Sequence, residues 1–212
     1  MPERFGGPDL PPSVVAELTA ILAAADPNIA QIPHSHFVYL NLLRHNGSVE
    51  LQRRIFAAVR DGGRVANAQS ERGGKTIADI STRLTPAADG YVLDGEKFYA
   101  TGSLFADTLA ILARLDDVGD DHAPGEYVAF IPASAPGVEI IDDWNGMGQR
   151  TTGSGTVRLR GVHVDAADLV ARAPAVSAPT GYGAFAQLLH VAIDTGIARG
   201  ALEAAAEFVR TT

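Results

Sequence analysis

The sequence predicts an α+β chain: helices first, then a sheet, then one long helix. Two observations carry that prediction. The apolar residues recur at helical spacing up to about residue 60, switch to alternation from Arg64, and return to helical spacing from Gly183. Glycine and proline then punctuate the middle into short runs, as strands joined by turns require. We divide the chain into a helical domain at 1–63, an antiparallel β-domain (barrel or sandwich) at 64–172, and the start of a second helical domain at 173–212.

In the first helix Val14, Leu18, Ile21, Leu22 and Ala25 share one face, which is expected to point inward. Asp26 can cap the next helix, with Pro27 at a position that needs no N–H. That helix carries Ile29, Ile32, His36, Tyr39, Leu40 and Leu43, and Pro33 should kink it or delay its start. Ser48 caps a third, with Ile55, Phe56 and Val59 inward and Gly62-Gly63 as its stop.

The strands are read in "RVANAQS", "STRLTPA", "YVLDGEKFYA", "LAILARL", "EYVAFIP", "GVEIIDD" and "GTVRLRGVHV". Asp94-Gly95 predicts a two-residue hairpin turn, and Lys97 reads as a solvated hairpin residue. The acidic stretch "LDDVGDDHAPGE" is expected to be a solvated loop. From Gly183, a long apolar face rich in small residues, Phe185 through Phe208, predicts a tightly packed helix that needs a partner.

With 46% hydrophobic residues a sizeable core is available. The net charge of −8 and pI near 5.1 argue against nucleic acid as a partner. No cysteine is present, which removes disulfides and thiolate chemistry and fits a reducing compartment. No signal peptide or membrane span is read, so a cytoplasmic location is expected. Gly74-Lys75-Thr76 lacks the earlier glycine of a phosphate loop, where Gln69 stands. "GYGAFA" at 181–186 has dinucleotide-fingerprint spacing but no buried strand before it. The histidines show no ligand spacing; His34 and His36 point about 200° apart on a helix, so no metal site is expected.

The stretches "ANAQSERGG", "GEKFYATGS" and "DDWNGMGQRTTGSGTVRLRGVHV" carry a resemblance. Together they resemble the acyl-CoA dehydrogenase superfamily, and within it the branch of monooxygenases that use reduced flavin. The resemblance implies a partial N-terminal helical domain, a middle β-domain, the first helix of a C-terminal bundle, and flavin between sheet and bundle. It implies that Ser70 meets the pyrimidine edge of the flavin, Thr101 its N5/O4 side, and Tyr99 its ring face. Asn67, Trp144 and His36 match positions lining the flavin and substrate cavity, so that Asn67, Thr101 and His36 are the catalytic candidates. Arg150 and Thr152 are expected to order the loop or touch a phosphate. An alternative for Trp144 is to fill a gap in the sheet.

The family's dehydrogenases have a proline and a glycine-serine-aspartate turn where "SERGGKTIAD" places Arg72 and no such turn. That departure favours FMN over FAD. The implied reaction delivers reduced FMN from a flavin reductase, adds oxygen at flavin C4a, and passes one atom to a small organosulfur or similar substrate. A homo-oligomer is expected. Two alternatives stay open: an FAD-dependent acyl-CoA dehydrogenase, whose base has no counterpart here, and a non-catalytic remnant that binds flavin or dimerises.

Overall fold

The computed structural model describes residues 1–74, 76, 79–116 and 122–211. Three helices open the chain: α1 (Pro12–Ala25), α2 (Pro27–Asn46) and α3 (Val49–Arg60). Eight strands follow: β1 (Val65–Ala68), β2 (Arg83–Ala87), β3 (Gly90–Lys97), β4 (Thr108–Leu115), β5 (Gly125–Pro132), β6 (Val138–Ile141), β7 (Thr156–Val164) and β8 (Leu169–Ala171). The short α4 (Arg172–Ser177) then leads to α5 (Tyr182–Thr211). Both expected caps form. Asp26 accepts from Asn28 N at 2.7 Å, and Ser48 accepts from Leu51 N at 3.1 Å. Pro33 does not delay α2, which starts at Pro27. One missing N–H is outweighed by the burial of Ala30, His34 and Ser35 on that stretch.

The sheet runs β6-β7-β3-β2-β4-β5-β8, with β1 paired to β4. It is mixed rather than wholly antiparallel, because β1 and β2 both pair with β4 in parallel. They lie end to end along one side of that strand: β1 takes Thr108 to Ile111, β2 takes Arg114 and Leu115. The described residues between them, 69–74, 76 and 79–82, form an excursion outside the strands. A single edge thus hosts a strand, an excursion and a second strand, a topology that alternation alone does not reveal.

The expected turn at Asp94-Gly95 is a bulge inside the continuous β3, where the register with β7 shifts. Gly95 serves close approach: a Cβ there would lie 2.4 Å from Thr82 Oγ1. The hairpin turn between β2 and β3 lies earlier, at Ala88-Asp89, closed by the Ala87–Gly90 pair. Of the expected acidic loop at 115–126, residues 117–121 lie outside the described residues, as does Lys75 of the rejected phosphate-loop match.

β4 and β5 are covered on both faces, which explains their nearly unbroken apolar runs. Leu109, Ile111, Leu115, Ala129 and Ile131 enter a core within the sheet, together with Leu93, Val157 and Leu159. Ala110, Val128 and Phe130 point the other way and meet Leu42, Leu43, Phe56 and Leu189 of the helices.

α1 reverses the expectation for its faces. Leu18 and Ile21 are each 50% exposed, and Thr19, Ala20 and Ala23 are buried instead. Glycines on α5 decide this: a Cβ on Gly196 would lie 2.3 Å from Ala20 O, and one on Gly200 would lie 2.4 Å from Ala24 O. Close backbone approach selects the face with the smallest side chains, so α1 turns its larger ones outward. Among the described residues no helix is long and apolar enough to cross a membrane.

Gly196→Val should drive a branched side chain into the α1 backbone and destabilise the fold by about 2–3 kcal/mol. Urea unfolding followed by circular dichroism measures this, with Ala201→Val, on the same helix but away from the contact, as the control.

Candidate functional site

The excursion between β1 and β2 is closed by one carboxylate. Glu71 Oε2 accepts from Ser81 N at 2.6 Å and from the Ser81 hydroxyl. Its Oε1 accepts from Thr82 N at 3.0 Å, Thr82 Oγ1 at 2.7 Å and Lys97 Nζ at 2.6 Å. Lys97 is fully buried, so the expectation of a solvated lysine is wrong. Its stem packs inside the sheet while Nζ meets Glu71 and, at 3.3 Å, Gln69 O. Burial pushes the Glu71 carboxyl up, but the Lys97 ammonium and the Ser81 and Thr82 donors bring it down to about 2. Burial also lowers the pKa of Lys97, which its carboxylate partner opposes.

This closure sets two segments side by side. Ser70 bridges Phe98, whose N–H donates to Ser70 O at 2.9 Å. Beyond Lys97 the chain makes an aromatic ledge. Tyr99 has a left-handed backbone, φ 57°, and is 52% exposed. Trp144 meets its ring edge-on at 6.2 Å, and the Arg72 guanidinium stacks 4.2 Å from the Phe98 centroid and 5.0 Å from that of Tyr99.

The loop that carries Trp144 is held by its own hydroxyls. Trp144 Nε1 and Thr152 Oγ1 both donate to Gln149 O, at 2.8 and 3.0 Å. Ser154 joins Thr152 at 2.6 Å and Thr101 at 2.8 Å, linking this loop to the segment that follows β3. Asp143 accepts from Thr156 N and Oγ1 at 2.8 and 2.7 Å; these bonds hold its carboxyl below the usual range.

α2 forms the other wall. Asn67 Oδ1 accepts from Ser35 Oγ at 2.8 Å, and Tyr39 bonds both Asn67 and Tyr182 of α5. Burial, then the neighbouring Tyr182, keeps the Tyr39 phenol well above its ordinary pKa. His36 Nδ1 accepts from Val65 N at 3.1 Å, so its proton lies on Nε2, and burial pulls its pKa to about 4. Ile32, Pro33, His36, Val65, Ala66, Gly102 and Phe105 line an apolar cavity of about 310 Å³.

The structure thus gathers Ser70, Tyr99, Thr101 and Trp144 at the strand ends, with Asn67 and His36 on the α2 side. Thr152 is buried and spends its hydroxyl inside the loop, on Gln149 O and Ser154. Arg150 is exposed and, among the described residues, makes no hydrogen bond or ion pair. Sequence reasoning missed Ser35, Tyr39, Tyr182 and Ser154. Ser35 and Tyr39 are four apart on α2, a spacing that could have marked them as a pair beside Asn67. Among the described residues no group of three histidines and carboxylates gathers into a metal site.

Known proteins share this fold. Residues 66–162 match the family model of the acyl-CoA dehydrogenase middle domain. The structure of FMN-bound TdsC from Paenibacillus sp. A11-2 superposes with a TM-score of 0.89 at 30% identity, over 98% of this chain and 54% of that one. The chain is thus similar to the acyl-CoA dehydrogenase superfamily, and its fold is acyl-CoA dehydrogenase-like. Dibenzothiophene monooxygenase of Rhodococcus erythropolis is 30% identical over 223 residues, covering 100% of this chain and 52% of the relative. The Pseudomonas putida protein named "Probable FMNH2-dependent monooxygenase SfnC" is 30% identical over 142 residues, 64% of this chain and 34% of that protein. The chain therefore spans about half the length of the two proteins that it matches over nearly all of its own length.

Lys97→Met leaves Glu71 without its cation and should cost about 3–5 kcal/mol, whereas the double variant Lys97→Met/Glu71→Leu should recover much of that loss in a denaturant titration. His34 stacks on His190 at 4.0 Å between α2 and α5; burial, then the charge of His190, lowers its pKa to about 4. The neutral ring therefore supports the fold above pH 6.5, and that support is lost as pH falls towards 4. His34→Gln should flatten the stability profile in this window by up to about 1.4 kcal/mol per pH unit.

Proposed function

We propose that this chain is the flavin-binding core of a monooxygenase that takes reduced FMN from a flavin reductase and oxygenates a small organosulfur or similar soft substrate. The observation that carries this reading is one shared segment at 98–105. Tyr99 and Thr101 belong to the ledge, while Gly102 and Phe105 line the apolar cavity. A planar group with apolar faces and polar edges fits the ledge: Tyr99 and Trp144 offer ring surface, and Ser70 and Thr101 offer hydroxyls. The names of the relatives, a dibenzothiophene monooxygenase and an FMNH2-dependent monooxygenase, support the same choice.

Reduced flavin, when bound, supplies the electrons that activate dioxygen. The residues supply the rest. Tyr99 and Trp144 cover the ring, Ser70 and Thr101 bond its edge, and the apolar cavity wall excludes water from the reacting atoms. His36 lines the cavity as a polar group; with its pKa at about 4 it would stay neutral and donate from Nε2, while Asn67 is held on the α2 side by Ser35 and Tyr39. In this reading the outward faces of α1 and α5, with Ile21, Leu202 and Phe208, are covered in an oligomer.

Fluorescence titration of the chain with FMN and FAD tests the placement. Thr101→Val and Trp144→Ala should each raise the FMN dissociation constant about tenfold, from the loss of one hydrogen bond or one stacking surface. Unchanged affinity in both variants would remove the flavin from this ledge.

A further inference from the structure

Among the described residues no hydrogen bond or ion pair occupies the edge of the Arg72 guanidinium. Arg44, Arg54, Arg83, Arg158 and Arg172 each meet a carboxylate. Among the described residues Arg72 meets none, although the chain is acidic overall. The carboxylate that feels its charge, Asp143, spends both oxygens on Thr156. The side chain is nevertheless placed: its guanidinium stacks on Phe98 and Tyr99, at 4.2 and 5.0 Å from their centroids. Glu71, its neighbour, is held by Ser81, Thr82 and Lys97, so the backbone that carries Arg72 is anchored on one side. A guanidinium stacked through its face keeps its in-plane N–H groups available, in the fork that matches an anion with two acceptors.

We propose that Arg72 is the anion-recognition residue of the ledge, binding an anionic group of the flavin and so favouring the charged form of that ligand. This rests on the flavin reading above. Two groups on the same ligand share the required chemistry: the 5′-phosphate, and the N1/C2 carbonyl edge of the isoalloxazine, which carries negative charge after two-electron reduction.

The test is anaerobic binding of FMN and riboflavin, each oxidised and reduced, to the wild-type chain and to Arg72→Gln and Arg72→Lys. Flavin fluorescence serves the oxidised forms, and quenching of Trp144 the reduced ones. Arg72 is exposed, so both variants should fold, and matching thermal unfolding curves check this. Arg72→Gln should weaken binding of the recognised form about tenfold, with Arg72→Lys in between because it keeps charge but loses the fork. A loss for FMN in both redox states with none for riboflavin assigns the phosphate. A loss for both compounds only when reduced assigns the ring edge. Equal binding by wild type and Arg72→Gln in all four titrations overturns the proposal. So does an equal loss for every ligand, including neutral oxidised riboflavin, which would mean that Arg72 merely shapes the ledge. Absence of flavin binding by the wild-type chain would overturn the flavin reading and this proposal with it.

Discussion

The buried ion pair between Lys97 and Glu71 is the constraint on which the site depends. β1 and β2 share one side of β4, and the described residues between them lie outside the strands. Such an excursion has no ladder of its own, and its backbone groups need other partners. Glu71 supplies them: with five donors on one carboxylate, it ties the outgoing chain to the returning one at Ser81 and Thr82, and to the end of β3 through Lys97. An ion pair removed from water contributes little net stability compared with apolar packing, yet losing one partner is severe. Its contribution here is placement. It sets Ser70 and Arg72 beside Phe98 and Tyr99, and Gly95 is needed because Thr82 of the same cluster leaves no room for a Cβ.

The ledge is held from its far side by hydroxyls rather than by charge. Ser154 connects Thr101 to Thr152, and Gln149 O gathers Thr152 and Trp144. Each bond is modest alone, but buried hydroxyls that satisfy one another leave few alternative arrangements. Tyr99 can therefore keep a left-handed backbone and a half-exposed ring, a combination that would cost free energy without such support. On the α2 side Ser35, Tyr39 and Tyr182 do the same for Asn67, joining the first and last helical segments across β1.

Much of the fold was legible in the sequence. The change of period near Arg64, the caps at Asp26 and Ser48, and the runs of β4, β5 and β7 all follow from local chemistry, because spacing and capping act within a few residues. The site was legible only as stretches. "KFYATG" and the tryptophan loop stood out, but Ser35 and Tyr39 look like ordinary helix residues until β1 packs against them. Lys97 looked solvated because a lone lysine in an alternating strand usually is; its partner lies 26 positions earlier in the excursion.

The sequence by itself determined the element types, their order, the acidic surface and the three motifs, since each depends on neighbours along the chain. Tertiary structure alone decided which side of α1 is buried, that Asp94-Gly95 is a bulge and not a turn, and that two strands share one edge of β4. Each of those outcomes turns on a close approach between distant segments: Gly196 on Ala20, Gly95 on Thr82, Lys97 on Glu71. Steric exclusion at 2–3 Å and the pairing of buried charge are properties of a place in space, and the spacing of residues along a chain does not contain them.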